Sequence, residues 1–491
     1  MHVNRREFLR KSLCAALGGV SLHSALGNLK LISAATAATR YSFSDYKALV
    51  CIYLGGGNDA FNTIAPCDAT NYAIYAGTRQ GLALPQAQLS ANALSPLAGG
   101  LPGDGATYGM HPAMGALRGL FNSGKVAVVA NVGTLVYPIT QHEYQNGLVP
   151  TPAQLYSHDD QTNQWQTSRP DDANADGWGG RVADMFATAN AGQLPMSITM
   201  SGVNRFQRGN VVNQYALDSW GARDIAAGGP GDGDFTVPGM NYRGDGPESW
   251  LLPEDTGRAA AFDALRASGS QGNMLERAFA DSTNRAIANA ALINAAMVGT
   301  RLATPFPDTD LGNQLAAVAL MIKVRASLGM SRQVFFVSVG NYDTHGTQLT
   351  DQNANLGELS GALAALHAAT VEMGVEDGVT AFTASDFGRS LAINSDGTDH
   401  GWGGHHFVVG GAVRGQRFYG TMPKLTQYDE GQPNNGNPDD TGYGQIIPTI
   451  AVDQYSATLA RWFGVNPGGI ADIFPNVGRF GDGTGNLGFM L

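Results

Sequence analysis

Apolar positions fall in unbroken runs toward both ends of the chain and lose their period in the middle. Ala48 through Leu54 are apolar at every position, as expected of a strand covered on both faces of a parallel sheet, and we place that strand at residues 46–54. Over 111–133 the period changes. Met114, Leu117 and Leu120–Phe121 share one helical face, Gly124 stops the helix, and a second buried strand runs from Val126 to Val132. Residues 194–202 give a third, shorter strand. Helical period returns from Met274 to Val298 and again over 311–329, followed by a strand at Val334–Val339. A long helix then carries Leu356, Leu359, Leu363, Leu366 and Met373 on one stripe, and Val379–Thr383 makes a further strand. This alternation predicts a doubly wound α/β domain with a mostly parallel sheet flanked by helices. The Gly/Pro-rich stretch at about 203–275 reads as an insertion in a single domain spanning 46–491.

Composition narrows the partners. The 491 residues are 43% hydrophobic and 14% charged, with a net charge of −11. No Lys/Arg cluster follows the N-terminal segment, so a nucleic-acid surface, which needs clustered cations, is not expected. The 65 glycines have no period and read as irregular loops. Of three cysteines, only Cys51 and Cys67 lie beyond residue 37. Their spacing forms no zinc motif, so any metal must be held by oxygen and imidazole.

The N-terminus has paired Arg5 and Arg6, then Phe8 and Leu9, a short apolar stretch rich in Ala, Gly and Ser, and Ala35-Thr36-Ala37 as a small-residue cleavage site. It resembles a twin-arginine export signal over residues 1–37. That implies the twin-arginine export machinery as a partner and a periplasmic or secreted location. No run approaches the ~20 apolar residues of a membrane span.

Candidate chemistry gathers where strands end. Asp59 follows the first strand through Gly55-Gly56-Gly57. Asp343 and His345 follow Val334–Val339, and Asp386 follows Val379–Thr383. Open α/β sheets bind ligands at the carboxyl ends of their strands, where loops from distant segments meet. "GTDHGWGGHH" (397–406) adds Asp399, His400, His405 and His406 in what reads as one Gly-rich loop. Any one Asp here could equally cap a helix, but mixed Asp/His donors at one sheet edge suit a divalent ion. Two motif matches fail. Gly55-x-Gly57-x-x-Ala60 lacks a long following helix because Pro66 cuts it short, and "SDFG" (385–388) comes without the other kinase motifs.

The segments "LGGGNDAFNTIAP", "YSHDDQTNQWQ", "GWGGRVAD", "VGNYDTHGTQ", "FTASDFGRS" and "GTDHGWGGHHFVVGGAVRGQRFYG" together resemble a bacterial family of twin-arginine-exported proteins of unknown function. That family is similar to the alkaline phosphatase and sulfatase superfamily. The resemblance implies an alkaline-phosphatase-like fold and metal ligands at Asp59, Asp343, His345 and Asp386, with His400 or His405 completing the set. Two departures stand out. Asp343 and His345 are two residues apart rather than four, and Phe387 occupies the place of a ligand His. Thr140, beside Gln141 and His142, is the implied nucleophile, with His142 as its catalytic neighbour. Thr134 and the Ser157/His158 pair compete for the role, and Thr140 reads equally well as a helix cap. Arg389 or Arg181 would grip an anionic substrate, with His158 beside it.

The expected function is an exported metal-dependent hydrolase for a phosphate or sulfate ester, using zinc, manganese or calcium. The alternative is a non-catalytic envelope-associated binding or assembly protein on a degenerate hydrolase scaffold. It is favoured by Phe387 and by the lack of a clear nucleophile.

Overall fold

Residues 41–217, 264–267, 273–426 and 437–491 are described by the structure, a computed structural model, together with two strand segments at 223–224 and 229–230. The expected signal segment at 1–37 and most of the expected insertion lie outside the described residues. Contacts group the described residues from Phe43 to Leu491 as one compact unit.

The apolar runs become the centre of a nine-stranded sheet. In chain order its strands are β1 (Lys47–Leu54), β2 (Val126–Gly133), β3 (Ser197–Thr199), β4 (Tyr215–Ala216), β5 (Arg332–Val339), β6 (Val379–Ser385), β7 (Gly404–Gly410), β8 (Arg417–Tyr419) and β9 (Ile450–Ala451). The spatial order is β8-β2-β7-β6-β1-β5-β3-β4, with β9 also on β2. All neighbours pair parallel except β7, which runs antiparallel to both β6 and β2. The mostly parallel α/β sheet is therefore as the periodicity predicts.

The helices that matter here are α1 (Ala60–Thr63), α2 (Gly115–Asn122), α3 (Gln141–Gln145), α4 (His158–Thr167), α5 (Trp178–Met185), α6 (Met274–Met297), α7 (Asp310–Lys323), α8 (Gln348–Glu372) and α9 (Val452–Phe463). Side chains alternate across each strand. Ala48, Val50, Ile52 and Leu54 of β1 therefore face the core shared with Leu117 and Phe121 of α2, Leu315 and Ile322 of α7, and Leu356, Leu363 and Leu366 of α8. The opposite face is aromatic. Trp165 of α4 lies 4.6 Å from the His406 ring, Trp178 of α5 lies 5.7 Å from Phe382, and Tyr455 of α9 lies 6.1 Å from Phe382. No helix among the described residues is long and apolar enough to cross a membrane.

One sequence expectation is corrected. Residues 397–406 are not a single loop. Thr398–His400 pairs antiparallel with Arg389–Ile393, and Gly404 opens β7 in the middle of the sheet. The seven residues of "GHHFVVG" are all buried. Glycine at both ends and two histidines mask a strand that hydropathy alone does not register.

Candidate metal centre

Three strand ends lie side by side in register. Leu54 of β1 is opposite Ser385 of β6 on one side and Val339 of β5 on the other. The segments after these strands therefore leave the same edge of the sheet. Gly55 to Asp59 continue from β1, Tyr342 to His345 from β5, and Asp386 to Arg389 from β6.

The glycines make these loops fit together. Gly56 has φ +117°, and a Cβ there would stand 2.4 Å from the Asp343 nitrogen. Gly57 has φ +87°, and a Cβ there would stand 2.5 Å from the Phe387 ring. The Gly56 N–H donates to both Asp386 oxygens, at 3.0 and 3.2 Å. The glycine run thus seats Asp343, Asp386 and Phe387 against the backbone of β1, a close approach only glycine permits.

Asp59 ends elsewhere. Its Oδ1 caps α1, accepting from Phe61 N–H at 2.9 Å. Its Oδ2 meets the fully buried guanidinium of Arg79 and the Gln348 amide. Both oxygens are committed in a buried ion pair, so the structure does not bring the expected first ligand to the cluster.

The cluster forms around Asp343. Its Oδ1 lies 3.0 Å from His345 Nε2 and 3.3 Å from His400 Nε2, and its Oδ2 lies 3.5 Å from His158 Nε2. His345 Nε2 and His400 Nε2 are themselves 3.0 Å apart. His158, Asp343 and His400 each offer one ligand atom within 4.8 Å of the others. His158 is the first residue of α4 and His400 ends the hairpin strand Thr398–His400, so separate segments of the chain contribute.

The outer partners decide which imidazole nitrogen is free. His158 Nδ1 lies 2.6 Å from Asp386 Oδ2, His400 Nδ1 lies 2.7 Å from the Tyr156 carbonyl, and His345 Nδ1 lies 3.3 Å from Asp399 Oδ1. Carboxylates and carbonyls only accept, so Nδ1 of His158 and of His400 is assigned as the N–H donor and their Nε2 atoms as lone pairs. His345 instead lies between two carboxylates, Asp343 at Nε2 and Asp399 at Nδ1, and can donate to either. Two lone pairs, on His158 and His400, then face the Asp343 carboxylate, an arrangement that a cation relieves. Metal-binding histidines carry this kind of outer hydrogen bond.

Charge and burial favour that state. Partial burial raises the Asp343 carboxyl, but the Arg389 hydrogen bond and charge, followed by the nearby histidines, outweigh it and hold the group below its ordinary value. Burial lowers the His400 imidazole, against the pull of its bond to Tyr156, and the neighbouring His158 and Arg389 lower it further. It is therefore neutral at neutral pH, as a ligand must be. The side chains of Asp343 and His345 are 43% and 45% exposed, which leaves one side of the cluster open.

Asp386, expected as a ligand, orients one instead. Its buried carboxylate accepts from His158, Gly56 and the Tyr53 hydroxyl (3.0 Å). Phe387 packs its ring 4.9 Å from His158 and 4.7 Å from His400. Arg389 is fully buried and donates to Asp343 Oδ1 at 2.5 Å, to Gly56 O and to Thr398. It braces Asp343 and does not face an open anion site.

The remaining expected residues lie apart from the cluster's contacts. His405 is buried in β7, accepts the Asn131 N–H on Nδ1 at 3.1 Å and packs edge-on to Phe61. Thr140 caps α3 in a capping box with Glu143, and His142 bonds Asn146. Of the competitors, Thr134 Oγ1 accepts from Gln161, Ser157 bonds Asp160, and Arg181 donates to the Thr167 and Ile473 carbonyls. Tyr53 and the Tyr156 carbonyl are supports the sequence does not flag, since a strand tyrosine and a backbone oxygen carry no motif. Asp399 is visible only as part of the acidic and imidazole group at 397–406.

A family model described as "Protein of unknown function (DUF1501)" matches residues 263–437. Among curated proteins none matches the chain. Of solved structures, the chain is similar to the lipoteichoic acid synthase LtaP from Listeria monocytogenes, at 7% identity over 84% of this chain and 76% of that one, with a TM-score of 0.30. It is also similar to the PsFucS1 sulfatase from Pseudoalteromonas sp., at 11% identity over 82% of this chain and 69% of that one, with a TM-score of 0.28. Likenesses at this level leave the site to be argued from its own residues.

Proposed function

We propose that the cluster at the β1, β5 and β6 ends is the divalent-metal centre of a hydrolase-like protein acting on a phosphate or sulfate ester. The observation that carries this reading is the convergence of His158 and His400, each fixed by an acceptor at Nδ1, on the Asp343 carboxylate, with one ligand atom of each within 4.8 Å of the others. An ion bound there supplies Lewis-acid charge to an ester oxygen and makes water a better nucleophile. The chain's own residues do the positioning: Asp386, Asp399 and Tyr156 orient the imidazoles, Arg389 braces Asp343, and Phe387 walls one side against water. The open side at Asp343 and His345 admits a small anionic ester. The twin-arginine pattern at Arg5–Arg6 and the small-residue cleavage pattern at Ala35–Ala37 support export through that machinery to the periplasm or beyond.

The test is metal-dependent hydrolysis of aryl phosphates and aryl sulfates by the mature chain supplied with zinc, manganese or calcium. Turnover that chelation abolishes and His400→Ala removes is the expected result. A second reading, a metal-holding envelope protein without turnover, is favoured by Thr140. The expected nucleophile is committed to its capping box with Glu143. Wild-type protein that holds metal and hydrolyses neither ester class decides for it.

A further inference from the structure

The donor atoms say more than that an ion binds. Resting on the metal reading above, we infer that the centre takes one borderline-soft divalent ion, of the zinc class, on His158, His345, His400 and Asp343, and that Asp386 sets its affinity by positioning His158.

Ligand chemistry selects the class of ion. Calcium takes about six to eight oxygen donors, and the cluster offers oxygen from Asp343 alone. Asp386 is not free to add to it, because Tyr53, Gly56 and His158 all donate to its carboxylate. Asp399 faces His345 Nδ1 and takes the Asn394 amide at 2.5 Å. A set of three imidazoles and one carboxylate suits zinc and its transition-metal neighbours rather than calcium or magnesium.

Packing limits the number. The position where a further ligand would enter after Asp386 is filled by the Phe387 ring, which is 2% exposed and packed on both His158 and His400. Gly57 leaves the space that ring occupies. The remaining acidic candidate at this edge, Asp59, is neutralised by Arg79. The chain therefore keeps donors for one ion and puts hydrocarbon beside them.

Positioning falls to Asp386. His158 sits at the start of α4, where its side chain would otherwise be free to turn toward solvent. The 2.6 Å contact with Asp386 Oδ2 fixes both its rotamer and its tautomer. Asp386 is itself held from the strand side by Gly56 and Tyr53. Loss of such an outer carboxylate typically weakens metal binding about 10–100-fold.

The experiment uses the mature protein stripped of metal and dialysed against zinc, cobalt(II) and calcium. It reads bound metal per chain and, for cobalt, the visible absorption of an imidazole-ligated ion. One zinc or cobalt per chain, retained against a large excess of calcium, is expected. Asp386→Asn should weaken zinc binding about 10–100-fold while the metal-free variant melts cooperatively. If Asp386→Asn does not fold, Asp399→Asn, on the exposed side of His345, serves in its place and should also weaken zinc binding. Two ions per chain, preference for calcium, or unchanged affinity in a folded variant overturns the inference. Binding of no ion at all overturns the metal reading as well. One tightly held zinc with no ester hydrolysis leaves this inference standing and removes only the hydrolase.

Discussion

Asp59 and Asp343 both follow a buried parallel strand, yet they end in opposite surroundings. Asp59 points inward to Arg79, while Asp343 points outward to three imidazoles. The difference is testable at Asp59. Replacing it with Asn keeps the cap on α1, since Asn also accepts backbone N–H groups, but leaves the Arg79 charge buried without its partner. The expected cost is about 3–5 kcal/mol in denaturant unfolding, with metal content per folded chain unchanged. A loss of metal without a loss of stability would return Asp59 to the ligand set. Gly57→Ala makes the reciprocal case. The new Cβ meets the Phe387 ring in a left-handed backbone conformation, costing about 1–3 kcal/mol. It also pushes that ring onto His158 and His400, so reduced zinc uptake accompanies the lower stability.

Elements explain which of these residues could be read in advance. The positions of Asp343 and Asp386 were legible, though not the role of Asp386, because an all-apolar strand states its own end, and parallel neighbours end at the same edge. Asp59 was not, because its partner Arg79 lies twenty residues on, in a helix whose docking no local pattern announces. His158 was legible as part of an anion site or of a competing Ser157/His158 pair, not as a ligand. Its place in the cluster depends on where α4 begins, and no strand precedes α4 to fix that. His405 and Thr140 misled for different reasons. A histidine beside glycines reads as loop until β7 is paired, and a Thr three residues before Glu reads as a nucleophile only if the capping box is ignored. Thr140→Ala tests that element directly. The helix Gln141–Gln145 should lose about 0.5–2 kcal/mol of local stability, visible as faster amide exchange there, while zinc content and any turnover stay at the wild-type level.

Across the whole molecule, the buried titratable groups set opposite slopes of stability against pH. Burial lowers His405 and His406 to about 3 and His111 to about 4, against 6.5 in the unfolded chain. All three are neutral when folded and take up protons on unfolding below pH 6.5, so they destabilise the fold as pH falls through that range. Asp453 acts the other way. It sits in the first turn of α9 with no hydrogen bond from another residue to either carboxylate oxygen, and burial raises it to about 8 from 3.8. The folded state then holds a proton that the unfolded state releases, so its contribution declines as pH rises from 3.8 to about 8. Between pH 4 and 6.5 the three histidines outweigh the one carboxyl and stability climbs. Above 6.5, of these four groups only Asp453 still changes, and stability falls. Urea unfolding of the metal-free protein should therefore show a maximum near pH 6.5, with a decline toward pH 8 that Asp453→Asn removes and an acid-side decline that it keeps. A wild-type curve flat from pH 6.5 to 8 would mean that Asp453 has found a partner in solution.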